Sequence, residues 1–315
     1  MSHPTPEAPG APAPAGAHMD RELHSQPAVW RQAIDQTMAE DLLPKDGDRV
    51  AVVGCGTSWF MAQSYAAARE GAGKGLTDAF AASEASVVAG RGYDAVVAIS
   101  RSGTTTEVLE LMRSLQGTLR MIAVIGDVDS PAIGLADAVV ALPYADEQSV
   151  VQTRFATAAL VYLLTSVGID LEPALTDAAA ALAAEVSPRL LDAEQFTFLG
   201  TNWTVGLAHE AGLKMREGVQ GWTESYPAME YRHGPISIAA PGRVVWLFGA
   251  DIPGLADDVA PTGADYVYTG RHPLADLALI HKITLERARA RGLDPDLPRN
   301  LTRSVILDSA ATNDS

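Results

Sequence analysis

Apolar residues fall along this chain in two alternating patterns. Short, unbroken apolar runs are the first: "RVAVVG" (49–54), "YDAVVAIS" (93–100), "RMIAVIG" (120–126) and "AVVALP" (138–143). Rich in Val and Ile with no polar alternate, they predict strands covered on both faces. Between them lie longer segments with apolar residues every three or four positions. "SWFMAQSYAAAREGAG", which ends in glycine, and "TTEVLELMRSLQG" predict helices. Ahead of the first run, Ala28, Trp30, Ile34, Met38 and Leu42 sit near helical spacing within 25–43. "QTRFATAALVYLLTSVGI" (152–169) predicts a long apolar helix, and "LTDAAAALAAEVSPRLLDAE" a more amphipathic one. The strand–helix rhythm then restarts at "QFTFLGTNWTVGLAHEAGLKMREG". It continues through "RVVWLFG" (243–249), "DYVYTG" (265–270) and the helical "DLALIHKITLERARARG".

The fold class this predicts is α/β: one unit of parallel sheet flanked by helices, repeated. "VVGCGTSWF" and "TFLGTNWTV" share a strand–Gly–Thr–helix layout, a short internal echo. The expected division is a Pro/Ala/Gly-rich disordered tail over 1–19, a first subdomain over 20–170 and a second over 171–315 with a C-terminal tail.

Composition narrows the partners. At 315 residues, a formal net charge of −16 argues against a nucleic-acid partner, because phosphate backbones recruit basic faces. Its single cysteine, Cys55, permits neither an internal disulfide nor a zinc site built on cysteine pairs. No run approaches the roughly 20 apolar residues of a membrane span. The N-terminus lacks the basic start and apolar stretch of a secretory signal. The expectation is a cytoplasmic protein without metal or organic cofactor.

Four segments carry candidate chemistry. Both "GCGTS" (54–58) and "SRSGTT" (100–105) sit at strand-to-helix junctions, where ligands bind in parallel sheets. Small residues let backbone approach a ligand, and hydroxyls add donors, a combination suited to a phosphate. Helix capping is the other reading of Ser100, Ser102 and Thr104–Thr106. Neither segment is a Walker loop, and Trp59 stands where a dinucleotide fingerprint needs its third glycine. In "HEAGLKMREG", Glu210, Lys214 and Glu217 share one helix face, either as a solvated ion-pair stripe or as a proton-transfer group. His233, in "ESYPAMEYRHGPIS", lies beside Gly234-Pro235, as a structural histidine or a general acid/base.

Taken in order, "GCGTS", "SRSGTT", "SVVQTRFAT", "HEAGLKMREG…ESYPAMEYRHGP" and "DLPRNLTRSV" resemble the SIS (sugar isomerase) family. The likeness runs from about Gln26 to Leu307. It points to the tandem-SIS isomerase half of glucosamine-6-phosphate synthases and to stand-alone amino-sugar-phosphate isomerases and deaminases. The resemblance implies two flavodoxin-like SIS subdomains and a homodimer. It implies that Ser100, Arg101, Ser102 and Thr105 hold a sugar 6-phosphate, and that Thr57, Ser58 and Val150 line the sugar. Glu217 matches the base that moves a proton between C1 and C2, with Lys214 and Glu210 as its helix companions. His233 matches the ring-opening histidine, shared across the dimer interface.

Two departures from the family pattern stand out. Too few residues precede the first unit for a glutamine-hydrolysing domain, so the expectation is not a glutamine-driven synthase. Arg303 stands where the family tail carries an imine-forming lysine, and a guanidinium does not form imines but does clamp oxyanions. Arg101 and Thr104 also replace the Gln and Glu that the synthases favour. The implied activity is ring opening and C2 proton abstraction on a hexosamine 6-phosphate. Isomerisation, deamination and dehydration through loss of the C3 hydroxyl all branch from that step. A non-catalytic sugar-phosphate sensor is the alternative.

Overall fold

The computed structural model describes residues 13–307. Two all-parallel sheets fall on either side of residue 170. The first holds β1 (Val50–Gly54), β2 (Thr77–Ala81), β3 (Ala95–Ser100), β4 (Arg120–Ile125) and β5 (Ala138–Ala141), in spatial order β2-β1-β3-β4-β5. The second holds β6 (Gln195–Gly200), β7 (Thr223–Pro227), β8 (Arg243–Leu247) and β9 (Asp265–Val267), in order β7-β6-β8-β9. Both follow flavodoxin order, and the second is one strand shorter. In each, the chain reverses direction across the sheet at its first strand, which opens a crevice beyond the strand ends.

Nine α-helices are described: α1 (Ala17–Ala39), α2 (Thr57–Gly71), α3 (Thr106–Leu115), α4 (Arg154–Ser166), α5 (Glu172–Ala183), α6 (Pro188–Asp192), α7 (Thr204–Val219), α8 (Leu255–Val259) and α9 (Pro273–Ala290). Helices α1, α2, α4, α5, α7 and α9 pack together between the sheets. One core therefore spans both halves, joining Val50, Val97 and Ile122 to Phe196, Phe198 and Trp246. Helix α4 is buried from Phe155 through Leu164, as an apolar surface on all sides requires. Helices α2 and α7 touch backbone to backbone at Gly206, where a Cβ would fall 2.4 Å from the Phe60 carbonyl oxygen. The outer face of each sheet has its own smaller core.

Four features depart from the sequence expectation. Residues 1–12 of the expected tail lie outside the described residues, but α1 already begins at Ala17 and Met19 is fully buried. Asp294 and Asp296 accept hydrogen bonds from the Gly16, His18 and Met19 amides, so the helix start is held by residues nearly three hundred positions away. The buried face of α1 is Met19, Leu23, Gln26, Val29, Trp30 and Ala33, whereas Met38 is exposed and Ala28 faces solvent. Strands β2 and β7 lie at sheet edges with half-buried side chains, and neither carries an apolar run. The tail placed with the second subdomain crosses back to the first: Thr106 N donates to Val305 O, and Leu307 N to the Thr106 hydroxyl.

The entry to α9 holds two titratable groups of opposite effect, the buried Asp276 and the half-buried His272. Burial pushes the Asp276 carboxyl up from 3.8 to about 6, although the Thr269 hydroxyl donates to it. Burial pulls the His272 imidazole down from 6.5 to about 4. Folded Asp276 keeps a proton that the unfolded chain releases, so its contribution to stability falls as pH rises between those two values. Folded His272 refuses a proton that the unfolded chain takes, so its contribution falls as pH drops from 6.5 towards 4. Asp276→Asn removes only the first effect and keeps an oxygen for Thr269. The variant is expected to gain on the order of 1–3 kcal/mol at pH 7 and nothing at pH 4. Its stability should climb more steeply than wild type between those values. Urea midpoints across the range measure this, and equal midpoints at pH 7 remove the strained carboxylate from the account.

Candidate active site

The cleft opens where the first sheet reverses, beyond the ends of β1 and β3. Its volume is about 250 Å³. Strand β1 ends at Gly54, where a Cβ would sit 2.8 Å or less from the Ser58 backbone and side chain. That glycine lets α2 start directly over the strand end and sets Thr57 and Ser58, both nearly fully buried, into the cleft wall. Gly200 repeats the device in the second sheet against Thr204, so the sequence echo is structural.

The second wall is the Ser100–Thr105 loop after β3. Ser100 Oγ accepts from Gly103 N at 3.0 Å, and Ser102 Oγ from Thr104 N at 3.3 Å. Gly103 adopts φ 58°, and a Cβ there would lie 2.0 Å from the Ser130 hydroxyl, so only glycine fits. Thr105 occupies the N-cap position of α3 without a capping side-chain bond. The hydroxyls thus brace the loop and line the cleft; they do not cap the helix.

Residues 301–305 form the roof. Ser304 Oγ takes the Thr104 hydroxyl at 3.0 Å, and Arg303 Nη2 donates to both Asp146 carboxylate oxygens at 2.7 and 2.8 Å. Arg101 lines the cleft, and its buried guanidinium donates to the carbonyls of Ser149 and Arg303, each at 2.8 Å. Burial lowers its pKa, and its Nε is left without a partner. Arg101 thereby ties the roof to the segment carrying Val150 and Gln152. That segment is fixed in turn by Glu147, whose buried carboxylate accepts from the amides of Thr153, Arg154 and Phe155 at the start of α4. Sequence reasoning passed over Asp146 and Glu147; an acidic pair just ahead of a helix start was the available signal.

The second half contributes the charged floor. Glu217, in the last turn of α7, lines the cleft with its side chain 19% exposed. Lys214 Nζ lies 2.5 Å from Glu217 Oε2 and 3.9 Å from Glu210 Oε1. Lys214 and Glu210 are fully buried, which rules out a solvated stripe. Cleft residues therefore include Thr57, Ser58, Ser100, Arg101, Ser102, Thr105, Val150, Glu217 and Arg303. His233 is not brought to them: it is exposed at the end of a short 3₁₀ turn (Ala228–His233) and does not line this cleft. Among the described residues no cluster of three or more His, Cys, Asp or Glu side chains is arranged to hold a metal. No described helix is long and apolar enough to cross a membrane.

No family model matches the chain. Individual proteins do. It is 25% identical over 333 residues to glutamine–fructose-6-phosphate aminotransferase of Sulfurisphaera tokodaii, covering 92% of this chain and 56% of that one. The C-terminal domain of the Francisella tularensis glucosamine-fructose-6-phosphate aminotransferase superimposes with a TM-score of 0.72 at 19% identity, over 88% of this chain and 97% of that one. The chain is similar to these proteins in sequence and in fold. Glucosamine-6-phosphate deaminase from Thermotoga maritima shares the fold, with a TM-score of 0.71 at 21% identity over 91% of this chain and all of the deaminase. The chain spans about half the length of the curated relatives it matches. Its two-sheet α/β architecture is the one found in sugar-phosphate isomerases and deaminases.

Proposed function

We propose that the protein is an enzyme that opens the ring of a hexosamine 6-phosphate and removes the C2 proton. The observation that carries this reading is Glu217: a partly exposed carboxylate on a fully buried lysine, facing a hydroxyl-lined cleft. A carboxylate positioned this way takes a proton adjacent to a carbonyl. Hydroxyls and amides of the Ser100–Thr105 loop and the start of α2 face the ligand as donors, for its phosphate and for the developing oxyanion.

The C2 electron pair then has three destinations. Protonation at C1 gives a ketose. A free 2-amino group becomes an imine that water hydrolyses with release of ammonia. Departure of the C3 hydroxyl as water gives an unsaturated sugar. With Arg303 in place of an imine-forming lysine, elimination and deamination remain open without a covalent intermediate. No metal or organic cofactor is needed for any of these. The exposure of His233 fits a homodimer in which each protomer lends this histidine to its partner's cleft for ring opening. Such a substrate and a lone thiol at Cys55 suit the cytoplasm.

Proton NMR in D2O tests the reading with glucosamine 6-phosphate, N-acetylglucosamine 6-phosphate and fructose 6-phosphate. Loss of the C2 proton signal of an amino sugar, or of a C1 proton signal of fructose 6-phosphate, is expected for at least one, and new product signals identify the branch. Ligand-induced shifts in the protein without exchange of any sugar proton would replace the enzyme by a sugar-phosphate sensor.

A further inference from the structure

We propose that His281, on α9, is a positioning residue that decides which carboxylate Lys214 holds; the idea rests on Glu217 being the base. Three fully buried charged or titratable side chains meet beneath the cleft floor: Glu210, Lys214 and His281. Lys214 has two carboxylates in reach and sits on Glu217, at 2.5 Å, rather than on Glu210, at 3.9 Å. On burial alone the preference should run the other way, because the carboxylate cut off from water needs a donor most.

His281 removes that need. Its Nε2 lies 3.2 and 3.3 Å from the two Glu210 oxygens. With Nδ1 accepting from an amide nitrogen, Nε2 is the nitrogen that donates to Glu210. That amide is Gln26 Nε2, from α1 in the first half, at 3.3 Å. The far end of Gln26 is fixed as well: its Oε1 accepts from the Thr157 hydroxyl of α4 at 3.1 Å. A chain of hydrogen bonds thus runs from Glu210 on α7 through His281 on α9 to two helices of the first half, and only the 3.9 Å ion pair between Glu210 and Lys214 separates it from the base. With Glu210 satisfied from behind, the ammonium leans towards Glu217 and holds it at the cleft. Without His281, Glu210 reclaims the lysine, and Lys214 Nζ moves by about 1 Å, a displacement that costs about 10²-fold in rate at a catalytic group.

The test compares His281→Leu with His281→Gln, whose amide again donates to Glu210, by crystal structure and by C2-exchange kinetics. In His281→Leu, Lys214 Nζ is expected within hydrogen-bond distance of Glu210 and off Glu217, with kcat down about 10²-fold and KM unchanged. His281→Gln is expected to return Lys214 to Glu217 and recover most of kcat. A lysine that stays on Glu217 in the leucine variant overturns the proposal, as does an equal kcat for both variants. If the leucine variant does not fold, Glu210→Gln/His281→Leu, which strands no carboxylate, is compared with Glu210→Gln alone. Equal kcat supports the proposal, and a further tenfold loss overturns it. A wild-type protein that exchanges no C2 proton sinks the proposed function instead, while the lysine's position still decides the role of His281.

Discussion

Glu217→Gln is expected to slow C2-proton exchange by about 10³-fold, within the range that a general base supplies, while leaving ligand affinity within a few-fold of wild type. Glutamine has the same shape and keeps an oxygen for Lys214 Nζ, now 2.5 Å from the carboxylate. The floor of the cleft therefore stays in place and only the proton acceptor is lost. Its walls, the hydroxyl loop and the start of α2, belong to the other half of the chain and are untouched. Affinity by calorimetry and exchange by NMR separate the two effects. Exchange within tenfold of wild type would remove Glu217 from the chemistry.

Lys214→Met is expected to destabilise the fold by about 3–5 kcal/mol, the usual cost of deleting one partner from a buried charged cluster. The ammonium is the one cation within 4.0 Å of both Glu210 and Glu217 among the described residues, and neither it nor Glu210 reaches solvent. Methionine fills much of the same volume, so the loss is electrostatic rather than a cavity. Proton exchange should also fall, because Glu217 loses the group that orients it. Urea denaturation of the variant beside Lys214→Arg measures the cost. A loss below about 1 kcal/mol, the level of an exposed ion pair, would show that the cluster is hydrated.

Most of the frame was legible because buried parallel strands write themselves as unbroken Val/Ile/Ala runs. Strands β1, β3 and β4 are buried at nearly every position and match such runs, whereas the equally buried β6 is spelled with Phe and Leu around Thr197. Strands β2 and β7 were not, since an edge strand covered on one side can be built from "TDAFA" or "TESYP". The start of α1 was hidden by Pro27 and by a run of small residues; its anchors, Asp294 and Asp296, are too distant in sequence for any local pattern to show. Candidate residues from three separated segments did converge: Thr57, Ser58 and the Ser100–Thr105 loop meet Glu217 in one cleft. Motif spacing gave residue type but not direction: that the Arg101 guanidinium reaches two carbonyls, one of them 202 residues away, is not visible in "SRSGTT". His281 lies in an ordinary helical repeat, where nothing local separates a core histidine from one facing a buried carboxylate.

The tie between Arg101 and the Arg303 carbonyl spans 202 residues of chain. At translation rates of about 5–20 residues per second, the segment that roofs the cleft leaves the ribosome about 10–40 s after the loop it covers. The first sheet emerges with its hydroxyl loop uncovered, ahead of both Glu217 and the roof. The cleft is thus completed late in biosynthesis, when the tail docks on a surface already made. A stalled or truncated translation product ending before residue 300 would leave the hydroxyl loop open to solvent.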